Sequence, residues 1–160
     1  MEKSIKTNVM RLLEQAKIEY RTHEYEFSED DPTGKNMHSE MVLPEEQIFK
    51  TLVTRGAKGA IYVFCLPINC ELNLKKAAKA CGEKSIEMTH VKELLALTGY
   101  IRGGCSPIGM KKKYPTIIDE TAVLFDEIAI SAGTRGCQII LAPDALKDYI
   151  SADYADITDI

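Results

Sequence analysis

Three short segments hold the residue types from which a reaction centre could be assembled. They are Phe49-Lys50-Thr51-Leu52, the run Gly103-Gly104-Cys105-Ser106-Pro107-Ile108-Gly109, and Ser131-Ala132-Gly133-Thr134-Arg135-Gly136. Lys50 lies among Phe49, Leu52 and Val53, where an ammonium is poorly placed unless it meets an anion; the other reading is a strand lysine turned to solvent. The first glycine run can bring several N–H donors close to a bound carbonyl or ribose. Equally, it can be a tight bend whose exit Pro107 fixes.

Other familiar chemistries find no support. Lys50 is not preceded by Gly-x-x-x-x-Gly, and neither glycine segment has the Gly-x-Gly-x-x-Gly order that places a dinucleotide on a helix N-terminus. A Gly-x-Ser-x-Gly elbow is absent, which removes the usual serine-hydrolase signature. The five cysteines, Cys65, Cys70, Cys81, Cys105 and Cys137, are odd in number and lack Cys-x-x-Cys spacing, so structural disulfides and a paired redox centre are not expected. His23, His38 and His90 stand apart from one another and from the cysteines, and no metal or other cofactor is expected. Cys65, inside an apolar run, has the setting of a core thiol. Cys105, in the glycine loop, is a candidate nucleophile if nearby amides acidify it.

The elements that must position these groups follow from periodicity. Val9, Leu12, Leu13 and Ala16 recur at helical spacing behind a Thr7 N-cap, predicting a helix to about Lys17. Residues 19–27 read as a half-buried strand, residues 28–35 as a polar loop suited to a lid, and residues 36–43 as a short helix. Strands over 48–54 and 60–66 form a hairpin. Asn73 caps a helix that ends at Gly82, and residues 85–88 make a short strand. Thr89 caps a further helix ending at Gly99. Strands at 116–119, 127–131 and 137–141 precede a helix opened by Pro143. Strands do not alternate regularly with helices, which disfavours a doubly wound arrangement. The expectation is a mixed α/β (α+β) fold with a barrel-like sheet, helices outside, and the glycine segments at one rim.

The 160 residues, with 45% hydrophobic and 28% charged side chains, fit one domain spanning residues 1–160. Such a chain buries roughly 70% of its unfolded surface, enough for a core without staples. The longest apolar stretch, residues 60–68, is too short to span a bilayer, and residues 1–6 lack a secretory pattern, so a cytoplasmic protein with no membrane partner is expected. The net charge of −4 is uneven. Residues 24–46 carry −7 and residues 143–160 carry −4, whereas residues 47–142 carry +5, with lysines clustered at 75–79 and 111–113. That basic middle can be a solvated face or an anion-binding surface.

The three segments, in this order, resemble the YbaK/EbsC family of aminoacyl-tRNA deacylases, related to the editing domain inserted in bacterial prolyl-tRNA synthetases. Further matches lie at Leu12-Leu13-Glu14, His23-Glu24-Tyr25, residues 74–80, Thr98-Gly99-Tyr100 and residues 115–119. The resemblance implies trans-editing: cysteine is removed from mischarged Cys-tRNA(Pro), or from Cys-tRNA(Cys). Lys50 falls on the family's essential lysine, Thr51 stands beside it, and Tyr25 comes from the facing strand. Tyr100, Gly103, Gly104 and Pro107 fall on the wall that receives the aminoacyl group and terminal adenosine. Ser131, Ala132, Gly133 and Gln138 fall on a second part of the substrate pocket. Three departures stand out: Cys105 replaces an aliphatic residue, Thr134 a basic one, and Gln138 an aspartate found in some members.

The sequence offers no triad, metal-bound water or carboxylate pair in these segments. A cysteine ester carries its own thiol, and holding that thiol in attack geometry can replace ~7–11 kcal/mol of barrier. The resemblance therefore implies a substrate-assisted route to a thiolactone, with direct attack by water as its competitor. The aminoacyl-tRNA acceptor end is the expected partner, with prolyl-tRNA synthetase as a candidate second one. The alternatives are deacylation of another small ester such as Ala-tRNA(Pro), or a non-catalytic module that binds tRNA or a synthetase.

Overall fold

The computed structural model describes residues 6–26 and 43–159. The expected loop and helix over 28–43 lie almost entirely outside those residues. Helix α1 (Asn8–Gln15) begins where Thr7 Oγ1 accepts the Met10 N–H at 3.3 Å. Its apolar stripe of Val9, Met10 and Leu13 is buried. Strand β1 (Arg21–Glu24) follows and pairs antiparallel with β7 (Cys137–Leu141), which pairs antiparallel with β6 (Ile128–Ser131).

The expected hairpin is formed by β2 (Phe49–Gly56) and β3 (Ile61–Pro67). A five-stranded mixed sheet grows around it in the order β4-β2-β3-β5-β8, with β4 at Ile86–Met88, β5 at Thr116–Asp119 and β8 at Asp153–Ala155. β2 runs antiparallel to both neighbours, whereas β3, β5 and β8 run parallel. Helix α2 (Leu74–Cys81) is capped by Asn73, whose Oδ1 accepts the Lys76 N–H at 3.0 Å, and stops at Gly82 with φ +73°. It covers one face of the sheet above Phe64, Leu66 and Ile117. On the other face α1 and α4 (Pro143–Ile150) close the larger core of Leu13, Ile118, Ile130, Ile139 and Leu146. Burial of each such side chain contributes about 1.5–3 kcal/mol.

Among the described residues the strands form two sheets rather than a closed barrel, and the sheets join at one parallel bridge, Ile48 to Ala129. Beyond it β2 and β6 part, because β2 turns to pair with β3 and β4 while β6 pairs with β7. The helix expected to be capped by Thr89 begins one residue later, as a 3-10 turn (Val91–Glu93) leading into α3 (Leu94–Thr98). The reason is reciprocal capping. The His90 side chain accepts from the Glu93 backbone while Glu93 Oε2 accepts the His90 N–H at 3.0 Å. Buried Asp119 accepts from Thr121 and from the Ile157 N–H at 3.1 Å, tying the C-terminal segment to the sheet. All five cysteines are free, and among the described residues no helix is long and apolar enough to cross a membrane.

Candidate active site

A cavity of about 460 Å³ opens where the two sheets part, within the usual size range of small-molecule sites. Residues 49–53 of β2 form one wall, and Ile130, Ser131 and Gln138 from β6 and β7 form the other. Tyr25, just past β1, also faces it, and Arg102, Gly103 and Cys105 bring in the glycine-rich loop. Met88, Thr89, His90, Val91 and Leu94 make the remaining rim.

The two glycine segments converge here backbone to backbone. A β-carbon at Gly104 would stand 3.2 Å from the Arg135 nitrogen and from Thr134 Cα, so only glycine permits this approach without displacement. Arg135 Nε donates to the Arg102 carbonyl at 2.8 Å, latching the bends together. In the second bend the Gly133 N–H donates to Ser131 Oγ at 3.1 Å, and Gly133 takes φ +98°. Tyr100 braces the loop from behind. Its hydroxyl donates to the Ile108 carbonyl at 2.5 Å, and its ring lies where a Gly133 side chain would be.

Lys50 lies on the cavity wall with 22% of its side chain exposed, and its Nζ is 3.6 Å from Glu71 Oε2. Glu71 is itself 76% exposed, so this contact is a solvent-screened pair rather than a buried one. Thr51 Oγ1 lies 3.8 Å from Cys65 Sγ across the hairpin. Burial pushes the Cys65 thiol up to about 12, the contact with Thr51 offsetting only part of the effect. Burial likewise pushes the Cys105 thiol up to about 12, with a hydrogen bond to Thr98 opposing it weakly. The amides of the loop therefore do not acidify Cys105, and a protonated thiol is a poor nucleophile. Arg55 forks onto Glu93 at 2.7 and 3.3 Å, and this pairing, with the His90 N–H, holds the Glu93 carboxyl down at about 2.

Of the residues expected at the site, Lys50, Thr51, Tyr25, Gly103, Ser131 and Gln138 border this cavity. Tyr100, Gly104, Ala132 and Gly133 sit behind that wall: Ala132 is fully buried in the core, and the other three form the bracing contacts. Pro107 lines a separate recess with Leu12, Met110 and Lys112. Sequence reasoning passed over Arg102, His90 and the apolar rim of Met88 and Val91. Only the adjacency of Arg102 to Gly103 could have signalled any of them.

Residues 29–149 match the family described as the aminoacyl-tRNA editing domain, a span that includes β2, both glycine bends and β7. Over 153 residues, 96% of this chain and 93% of the relative, it is 49% identical to a protein of Enterococcus faecalis (strain ATCC 700802 / V583) named "Putative Cys-tRNA(Pro)/Cys-tRNA(Cys) deacylase EbsC". The chain belongs to the YbaK/EbsC aminoacyl-tRNA editing family. Its fold agrees with solved structures. One described as a "putative trans-editing enzyme for prolyl tRNA synthetase" superposes with a TM-score of 0.80 at 25% identity, covering 98% of this chain and 100% of the other. A second, the hypothetical protein APE2540, reaches 0.84 at 19% identity, covering 94% of this chain and 99% of that one, and shows the shared fold alone. The matched span of residues 29–149 contains most of the residues that line the cavity between the sheets.

Proposed function

We propose that this protein is a trans-editing deacylase that removes cysteine from Cys-tRNA(Pro), with Cys-tRNA(Cys) as a second substrate, acting in the cytoplasm on the 3′ acceptor end. The observation that carries the reading is the placement of Lys50, Gly103 and Ser131 around one cavity in a chain 49% identical to EbsC. Lys50 supplies positive potential and positions the terminal phosphate or sugar. Gly103 and its neighbours offer backbone donors to the developing oxyanion. Tyr25, Thr51, Ser131 and Gln138 hold the aminoacyl group. Tyr100, Gly104, Ala132, Gly133 and Pro107 act from behind, as residues that position the loop.

The nucleophile comes from the substrate. Among the described lining residues there is no carboxylate, the cavity-facing thiol Cys105 is kept protonated, and His90 commits a ring nitrogen to its cap. The cysteine thiol attacks its own ester carbonyl and a C–S bond forms. The C–O bond to the ribose breaks, the thiol proton passes to the ribose oxygen, and a thiolactone leaves. Orientation of the thiol accounts for ~7–11 kcal/mol of barrier reduction in well-aligned cases. Prolyl-tRNA synthetase fits as the partner that supplies mischarged tRNA(Pro).

The test is deacylation of cysteinyl-, seryl- and alanyl-tRNA(Pro), with and without the synthetase. Selective loss of cysteine supports the reading. Equal rates on the alanyl ester would refute the thiol-assisted route, and tRNA binding without cleavage of any ester would refute the enzyme assignment.

A further inference from the structure

Gln138 is 6% exposed, pairs across the sheet with Ser131 and with His23, and lines the cavity. Its Oε1 is buried and has no hydrogen-bond partner among the described residues. Native folds rarely leave a buried carbonyl unpaired, because its desolvation is uncompensated. Gln138 lines the cavity, so an occupant can supply the missing donor once the terminal amide turns its oxygen toward it. The nearest register partner, Ser131, makes no hydrogen bond to this oxygen, although its hydroxyl accepts the Gly133 N–H. The charged groups on the described lining are the cations Lys50 and Arg102.

A carboxamide oxygen accepts from an amine, an ammonium or a hydroxyl, whereas a carboxylate strongly favours the cation. Resting on the deacylase reading above, we propose that Gln138 makes this site read the α-substituent of the acyl group as a hydrogen-bond donor irrespective of its charge, so that α-hydroxy acyl esters of tRNA are substrates alongside aminoacyl esters. The cavity then edits on the side chain and on the presence of an α-donor, and not on the α-ammonium charge.

The experiment charges a tRNA(Pro) acceptor-stem minihelix with cysteine or with its α-hydroxy counterpart, 2-hydroxy-3-mercaptopropionate, and measures kcat/KM on both. Wild-type protein is expected to cleave the two within about tenfold, the scale of one neutral hydrogen bond. Gln138→Glu, which places a carboxylate at the same reach, shifts the ratio toward the amine ester by about tenfold or more. Gln138→Met removes the acceptor, slowing both esters while leaving the melting temperature unchanged or higher. Wild-type cleavage of the cysteine ester with the hydroxy ester more than about 100-fold slower would overturn the proposal and leave the deacylase reading intact. Wild-type rates in Gln138→Met would also overturn it. Cleavage of neither ester by wild-type protein would overturn the deacylase reading and the proposal with it.

Discussion

A side chain on Gly104 would collide with the backbone of Arg135, 3.2 Å from a β-carbon at position 104. The two bends that flank the cavity are therefore held at a spacing set by the missing methyl. Gly104→Ala forces the loops apart by a few tenths of an ångström, and small misplacements of donors are costly in catalysis, up to about 100-fold per ångström. The expected outcome is kcat/KM on Cys-tRNA(Pro) reduced about tenfold, with a melting temperature only a few degrees lower. Wild-type turnover by the Gly104→Ala protein would show that the bends need no such contact.

Tyr100 supports the same loop from the opposite side. Tyr100→Phe deletes the donor to the Ile108 carbonyl, so about 0.5–1.5 kcal/mol of stability is lost. Because the hydroxyl faces the loop rather than the cavity, kcat falls while KM is unchanged. Chemical denaturation and steady-state kinetics on one preparation check both halves.

The buried thiols set an alkaline limit. Cys65 and Cys105 are raised to about 12, against an ordinary value of 9.0, by burial. The folded state thus holds protons that the unfolded chain releases above pH 9. The stability contribution is complete below about pH 9 and is lost as pH rises toward about 12. Cys105→Ala is expected to retain deacylation at pH 7 and to soften this alkaline decline, as thermal melts between pH 8 and about pH 10.5 will show.

Glu93 gives the opposite slope. Its carboxyl is held at about 2, below the ordinary 4.5, first by the Arg55 hydrogen bonds and then by the His90 N–H. The stabilisation is present above about pH 4.5 and disappears as pH falls toward about 2. Since Glu93 also fixes the rim at His90, Glu93→Gln is expected to melt earlier than wild type at pH 7, the gap closing below about pH 3. KM should rise as the rim loosens. A gap independent of pH would rule out the charged form as the origin of the effect.

Signals confined to a few neighbouring residues were legible in the sequence. Thr7, Asn73 and Gly82 carry their capping chemistry within one turn, and the β2–β3 hairpin shows in alternation across a short connection. Division of the strands into two sheets was not legible, because it depends on where β2 leaves β6 after Ile48. Strand β8 escaped for a similar reason: its three residues, one exposed and two half-buried, gain their place only by pairing with β5. At the site, Lys50 and the glycine bends announced themselves by chemistry that is odd for their surroundings. His90 and Val91 did not, because ordinary rim residues reach a cavity only through tertiary packing.

The most direct test is single-turnover deacylation of Cys-tRNA(Pro) by wild-type protein and by Lys50→Ala, with melting curves recorded for both. Lys50 borders the cavity and its pairing with exposed Glu71 contributes little to folding. The account predicts a rate loss of about 100-fold or more in the variant, with a melting temperature within a few degrees of wild type. Undiminished cleavage by a folded Lys50→Ala protein would contradict it.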